Sequence, residues 1–232
     1  MMYRTALKGA KTVFFENERN AALFREKKIT PEKQQTILSG AGITLDFYQY
    51  EAYPENEAFH FLYLGRIMKE KGIDELFYAI RKLHKEYGKK VVLDIVGFFE
   101  DEYKGEVEKL VEDGIAVFHG FKEDPRPYYK AADCIVLPSY HEGMSNVLLE
   151  AASTGRPVVT SKIPGCMESV EDGTTGYLCQ VKNAHSLYQK MNEIYHKSRA
   201  DREEMGKCAR DKMAREFAKD EVVKMTVAKV KE

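Results

Sequence analysis

From residue 59 onward, short continuous apolar runs alternate with stretches in which apolar residues return every three or four positions. The runs "FHFLYLG", "VVLDIVG", "IAVFHG", "ADCIVLPS" and "PVVTS", with a smaller one at "GYLCQ", read as strands. Helices are predicted from about Ile73 to Tyr87, around Tyr103 to Val111, briefly near Tyr128 to Ala131, and after Ser145. In the first of these, Ile73, Leu76, Phe77, Ile80 and Leu83 form one apolar stripe. Strands apolar throughout, separated by amphipathic helices, predict an α/β fold with a parallel sheet covered on both faces.

After Asn183 the pattern is purely helical, with Leu187, Met191 and Ile194 on one face. A charged segment from Asp201 onward carries Met205, Phe217, Val222 and Met225 and predicts C-terminal helices packed across the domain. Residues 1–58 differ: "TVFFE" and "QTIL" read as strands around a helix from about Arg19 to Lys27, and "SGAG" with "YQYEAYPENE" as turn and linker. That is too little for an independent core. Three segments result: 1–58, 59–200 and 201–232.

Composition narrows the function. Thirty-six basic against thirty-seven acidic residues give a net charge of -1, so no global field favours nucleic acid or an anionic membrane. An anionic ligand needs a local site. Cys134, Cys166, Cys179 and Cys208 lack zinc-ligand or redox spacing and read as reduced thiols of a cytoplasmic protein. Apolar runs stop near five residues, far below the roughly 20 of a membrane span, and no signal-peptide core is visible. Peripheral membrane attachment is left open.

The candidate chemistry follows strands. "GRIMKEKG", residues 65–72, puts Arg66 and Lys71 where a doubly wound sheet binds phosphate, a fork of donors beside a mobile point charge, although solvated loop charge would explain either alone. "VGFFED" and "FHGFKED" offer backbone groups for a base edge and Phe98 or Phe121 as an apolar wall, and simple turn chemistry explains them equally well. Neither is a Gly-x-Gly-x-x-Gly fingerprint, so a dinucleotide cofactor has no support.

"HEGMSNVLLE", residues 141–150, reads as a loop entering a helix. Gly143 permits close backbone approach, and Ser145 is a suitable N-cap, which would aim the amides of Met144, Ser145 and Asn146 at an anion. Glu142 and Glu150 are eight residues apart, roughly 12 Å at helical rise. Carboxyl pairs that cleave glycosidic bonds stand about 5 to 9.5 Å apart. The spacing does not exclude a hydrolase, yet it better suits gripping two parts of one long ligand. Bland readings are preferred for His141, His119, Glu168 and Cys166.

"GRIMKEKG", "LPSYHEGMSNVLLEAASTGRPVV" and "IPGCMESVEDGTTGYL", in that order, resemble the donor half of the retaining glycosyltransferases of family 4, or group 1. The resemblance runs from about residue 12 to the C-terminus and includes the Glu-x7-Glu signature. It implies the C-terminal, Rossmann-like domain of a GT-B fold preceded by a remnant of the acceptor-side N-terminal domain. By position it implies that Arg66 and Lys71 bind the donor's diphosphate, Glu142 the transferred sugar and Glu150 the ribose. Gly65 and Gly143 to Ser145 would lie beside sugar and phosphate, and Phe121 and Lys122 beside the base. A UDP-, GDP- or ADP-linked sugar is the expected donor and a saccharide or lipid-linked molecule the acceptor. Neither cofactor nor metal is expected; the chain has no Asp-x-Asp. The missing N-terminal domain, or a partner chain, would complete the enzyme, at the inner face of the membrane if the acceptor is lipid-linked. A non-catalytic donor-binding subunit and a nucleotide-sugar epimerase are the alternatives.

Overall fold

The structure is a computed structural model and describes residues 2–231; the chain ends of the 1–58 and 201–232 segments, residues 1 and 232, lie outside them. The expected alternation is present. Strands β3 (Phe59–Leu64), β4 (Val91–Val96), β5 (Ala116–Gly120), β6 (Cys134–Leu137), β7 (Val158–Ser161) and β8 (Gly176–Cys179) form one sheet in the order β5-β4-β3-β6-β7-β8. Every pairing in it is parallel.

The strand order decides where a ligand can sit. From β3 the chain steps through α3 (Ile73–Tyr87), β4 and α4 (Lys104–Glu112) toward one edge, and from β6 through α6 (Asn146–Ser153) toward the other. Right-handed crossovers put α3 and α4 on one face and α5 (Arg126–Ala131) and α6 on the opposite one. The direction reverses between β3 and β6, and the loops leaving their carboxyl ends lie at that reversal, where doubly wound sheets bind ligands. Those loops are residues 65–72 and 138–145.

Residues of both faces fill the core. Phe61, Leu62, Tyr63, Leu93, Ile135, Val136 and Val159 are buried along the strands, and the expected stripe of α3 is buried against them together with Ala79. Each fully buried leucine or isoleucine contributes on the order of 2 kcal/mol. Helix α7 (Ala184–His196) starts at Asn183, whose side chain accepts from the Ser186 amide, and lies on α3 with Leu187, Met191 and Ile194 buried. Cys134, Cys166 and Cys179 are buried free thiols, and Cys208 is a free thiol partly open to solvent.

The N-terminal residues form α1 (Met2–Ala6), β1 (Val13–Phe15), α2 (Glu18–Glu26) and β2 (Gln35–Ile37), with β1 and β2 a two-stranded parallel pair. The C-terminal residues form α8 (Arg199–Glu216) and α9 (Lys219–Lys231). Helix α8 packs on α6, and Ala209, Met213 and Phe217 join Ile43, Met144, Leu149 and Ala152 in a second apolar cluster. The linker and the C-terminal helices are therefore tied together, with the Ile43 amide 2.8 Å from the Phe217 carbonyl. Helix α9 buries Val222 but leaves Val223, Met225, Val227 and Val230 exposed. Among the described residues no helix is long and apolar enough to cross a membrane.

Candidate donor site at the switch point

Lys71 and Glu142 meet across the reversal of strand order. Lys71 Nζ donates to Glu142 Oε1 at 2.6 Å, and their side chains keep only 17% and 13% of their exposure. Gly72 makes the approach possible: it holds φ 72, and a Cβ there would lie 2.1 Å from the Pro138 carbonyl oxygen. The Tyr140 amide adds a bond to the Glu70 carbonyl at 2.8 Å, so the two loops are stitched along their length.

Arg66 has a different partner. Its Nη1 donates to both carboxylate oxygens of Glu100, at 2.7 and 3.0 Å, and both side chains are exposed by more than two fifths. Beneath them the backbone is close-packed. Gly65 donates to the Val96 carbonyl, and a Cβ on Gly97 would stand 1.8 Å from the Gly65 carbonyl oxygen. The Gly97 amide in turn reaches the Gly120 carbonyl at 3.0 Å. The carboxyl ends of β3, β4 and β5 are thus held together by close backbone contacts.

The helix start at Ser145 needs a correction. Its hydroxyl makes no cap hydrogen bond, and its amide, expected to face an anion, donates to the Gly165 carbonyl at 3.0 Å. Gly165 is pressed against the signature loop, where a Cβ would come within 2.6 Å of the Glu142 carbonyl oxygen, so the loop after β7 claims that amide. Among the described residues the amides of Met144 and Asn146 have no acceptor and remain for a ligand. Met144 itself points into the second apolar cluster.

Glu150 is partly buried. Its Oε2 accepts from the Tyr129 hydroxyl at 2.8 Å, and Tyr48 lies beside Tyr129 with the two rings edge-on at 6.3 Å. Burial pushes the Glu150 carboxyl above the usual carboxylate range, and the Tyr129 phenol pulls against that rise. Phe121 is 64% exposed and meets Phe98 edge-on at 6.1 Å, making the apolar wall after β4 and β5; Lys122 beside it is exposed.

Of the lesser candidates, His141 is exposed and Glu168 accepts from the Gly165 amide at 2.7 Å. Cys166 is a buried thiol whose pKa burial pushes up to about 12. His119 belongs to a separate group, its Nε2 donating to Asp94 Oδ1 at 2.7 Å while His60 Nδ1 lies 2.7 Å from Asp94 Oδ2. Among the described residues, no group of three or more His, Cys, Asp or Glu could hold a metal.

Two residues of the N-terminal segment reach the signature loop. Asn17, the N-cap of α2, is buried and donates from Nδ2 to the Gly143 carbonyl at 2.8 Å. The carboxylate of Glu16 lies against Gly143, 2.4 Å from where a Cβ would be, and borders a cavity of about 650 Å³ with Phe14, Phe15 and Phe24. The sequence carries no local signal for this contact, whose two residues are 126 apart.

The family described as glycosyl transferases group 1 matches residues 58–197, the segment that holds the sheet, Arg66, Lys71 and both signature glutamates. The chain belongs to the group 1 glycosyltransferases. Similar members include the capsular polysaccharide biosynthesis glycosyltransferase CapM of Staphylococcus aureus, 26% identical over 82% of this chain and 53% of CapM. The N,N'-diacetylbacillosaminyl-diphospho-undecaprenol alpha-1,3-N-acetylgalactosaminyltransferase of Campylobacter jejuni matches over the same shares at 26% identity. This group 1 chain thus spans about half the length of the curated relatives it matches. Among solved structures, Anabaena Alr3699/HepE in complex with UDP aligns with TM-score 0.84 at 18% identity, over 97% of this chain and 65% of that one. Sucrose-phosphate synthase from Thermosynechococcus elongatus aligns with TM-score 0.81 at 23% identity, over 97% and 59%. The group 1 fold here is that of the GT-B glycosyltransferases.

Proposed function

We propose that this chain is the donor-binding part of a retaining, family 4 glycosyltransferase that moves a sugar from a nucleoside-diphosphate sugar to a saccharide or lipid-linked acceptor, in polysaccharide or glycolipid biosynthesis. The observation that carries the reading is the Lys71–Glu142 pair at the reversal of strand order, a cation for a diphosphate beside a carboxylate for sugar hydroxyls. Arg66 adds a second cation on the same loop, and the Met144 and Asn146 amides add donors at the start of α6.

In this reading the anomeric carbon–oxygen bond breaks and negative charge grows on the departing nucleoside diphosphate. Arg66, Lys71 and the helix N-terminus are aimed at that charge, where stabilisation acts on the transition state more than on the bound substrate. The acceptor oxygen bonds to the anomeric carbon on the face the phosphate leaves, and its proton passes to a phosphate oxygen, so configuration is retained. Written this way, the transfer consumes no cofactor and asks for no metal. Glu142 accepts from the sugar hydroxyls, Glu150 from the ribose, and the Phe98–Phe121 wall with Lys122 borders the base.

The reading carries a cytoplasmic location with it, and contact with the inner face of the membrane where the acceptor is lipid-linked. The division of labour is tested by titrating a nucleotide sugar and its bare nucleoside diphosphate into two variants. Glu142→Ala should weaken the nucleotide sugar far more than the nucleotide, and Glu150→Ala should weaken both. Equal losses on both ligands for Glu142→Ala would sink the assignment.

A further inference from the structure

The Gly143–Met144 peptide is confined from two sides. Asn17, 2% exposed, donates from Nδ2 to the Gly143 carbonyl at 2.8 Å. Gly165 closes on the same oxygen, which would lie 2.5 Å from a Cβ there, and the Gly165 carbonyl takes the Ser145 amide at 3.0 Å. The peptide is trans, so its N–H, which belongs to Met144, points opposite to the carbonyl and away from Asn17. That amide meets no acceptor among the described residues, although Met144 is buried. The amide of a buried residue is ordinarily paired with protein, water or ligand.

Asn17 is itself fixed. It precedes α2 in an extended conformation, φ -154 and ψ 156, and its Oδ1 accepts from the Asn20 amide at 2.9 Å. A side-chain amide has a donor at one end and an acceptor at the other, and a single orientation serves both partners here. Gln35 of β2 holds α2 in place, its Nε2 donating to the Ala21 carbonyl and to Thr30 Oγ1, each at 2.9 Å. A hydrogen bond into a peptide carbonyl also polarises the peptide and makes its N–H a stronger donor. One side chain therefore both aims the Met144 amide and strengthens it.

We propose that Asn17 is a positioning residue for the donor's diphosphate: by holding the Gly143 carbonyl it aims the Met144 amide at a phosphate oxygen. This rests on the diphosphate site proposed above, and it assigns part of that site's affinity to the N-terminal segment, 126 residues from the loop that Asn17 orients. The cap of α2 and the grip on the loop use opposite ends of the side chain, so substitution separates them. Asn17→Ser and Asn17→Asp both keep an acceptor for the Asn20 amide. Serine is too short to reach the Gly143 carbonyl as well, and an ionised aspartate brings no donor to it.

The test titrates UDP, GDP and ADP into wild type and both variants by calorimetry, and follows the Met144 amide by NMR in chain isotope-labelled at its methionine nitrogens. Met144→Leu identifies that resonance among those of the nine methionines, and thermal midpoints report on folding. In wild type, a nucleotide that binds should move the Met144 amide proton downfield as a charge-assisted hydrogen bond forms. Each variant should bind it about tenfold more weakly, the lower end of what one hydrogen bond to a charged group contributes, with the Met144 shift reduced or lost. A folded variant that keeps wild-type affinity, or one that binds weakly with an undiminished Met144 shift, would overturn the positioning role and leave the diphosphate site standing. A nucleotide that binds wild type without moving the Met144 amide would overturn it too, with no variant needed. If none of the three nucleotides binds wild type, the diphosphate reading fails and the role of Asn17 falls with it.

Discussion

Lys71 and Glu142, 71 residues apart in sequence, form a 2.6 Å ion pair over the point where the sheet reverses its strand order. Their partly buried setting gives the pair a double meaning. Each satisfies the other in the ligand-free chain, and each has a separate partner in the proposed donor complex.

Breaking the pair from one side should therefore cost stability. Glu142→Ala leaves the Lys71 ammonium in a site that is 17% exposed and without its acceptor, and about 1–3 kcal/mol of unfolding free energy should be lost. Arg66→Ala removes only an exposed pair and should cost no more than about 1 kcal/mol. Urea denaturation of the two variants checks the ranking, and a larger loss for Arg66→Ala would refute it.

Glu100 competes for the cation that a diphosphate would use. Glu100→Gln keeps the side chain's size while removing its charge, so nucleoside diphosphate affinity should rise about two- to fivefold, the worth of one exposed ion pair. Calorimetry decides it: unchanged or weaker binding would mean that Arg66 does not turn from Glu100 to the ligand.

The His60–Asp94–His119 group, on the strands rather than at the crevice, predicts a pH signature of its own. Burial pushes Asp94 up, but hydrogen bonds from the two histidines outweigh it and hold the carboxyl below its usual range; that contribution is present above about pH 4 and lost as pH falls through the lowered value. The hydrogen bond to Asp94 raises His60, whose contribution is full below about pH 6.5 and lost as pH rises through the raised value. The advantage of wild type over Asp94→Asn in thermal midpoint should peak between those limits and narrow above them. A difference that does not vary with pH would exclude this coupling.

Two glycines should respond in opposite directions to alanine. Gly97→Ala drives a Cβ to 1.8 Å from the Gly65 carbonyl and should destabilise by about 3 kcal/mol, at the upper end of overpacking. Gly105, in the first turn of α4 with open space where a Cβ would stand, should gain up to about 0.5–1 kcal/mol from the better helix former. Denaturation midpoints of the two variants measure both effects.

The elements most legible in the sequence were those with a strong period. The α3 stripe from Ile73 to Leu83 and the continuous apolar strands report burial directly, because one face or both must leave water. Arg66, Lys71 and Glu142 were legible as candidates because they follow strands. Their partners were not, since nothing local ties Lys71 to Glu142 or Arg66 to Glu100. Ser145 read correctly as a helix boundary and wrongly as a free amide, because the Gly165 carbonyl that takes it lies on another loop. Tyr129 carried no signal, being an ordinary aromatic in a short helix until the fold sets it on Glu150. Arg156 carried no signal and is a buried bridge between backbone segments.

The central claim, that the crevice between β3 and β6 holds the diphosphate of a nucleotide sugar, is tested most directly by titrating UDP, GDP and ADP into the wild-type chain and Lys71→Ala. At least one nucleoside diphosphate should bind the wild type, and Lys71→Ala should weaken it about 10- to 100-fold, the loss of a charge-assisted hydrogen bond to phosphate. Binding of none of the three, or an affinity that Lys71→Ala leaves unchanged, would contradict the account.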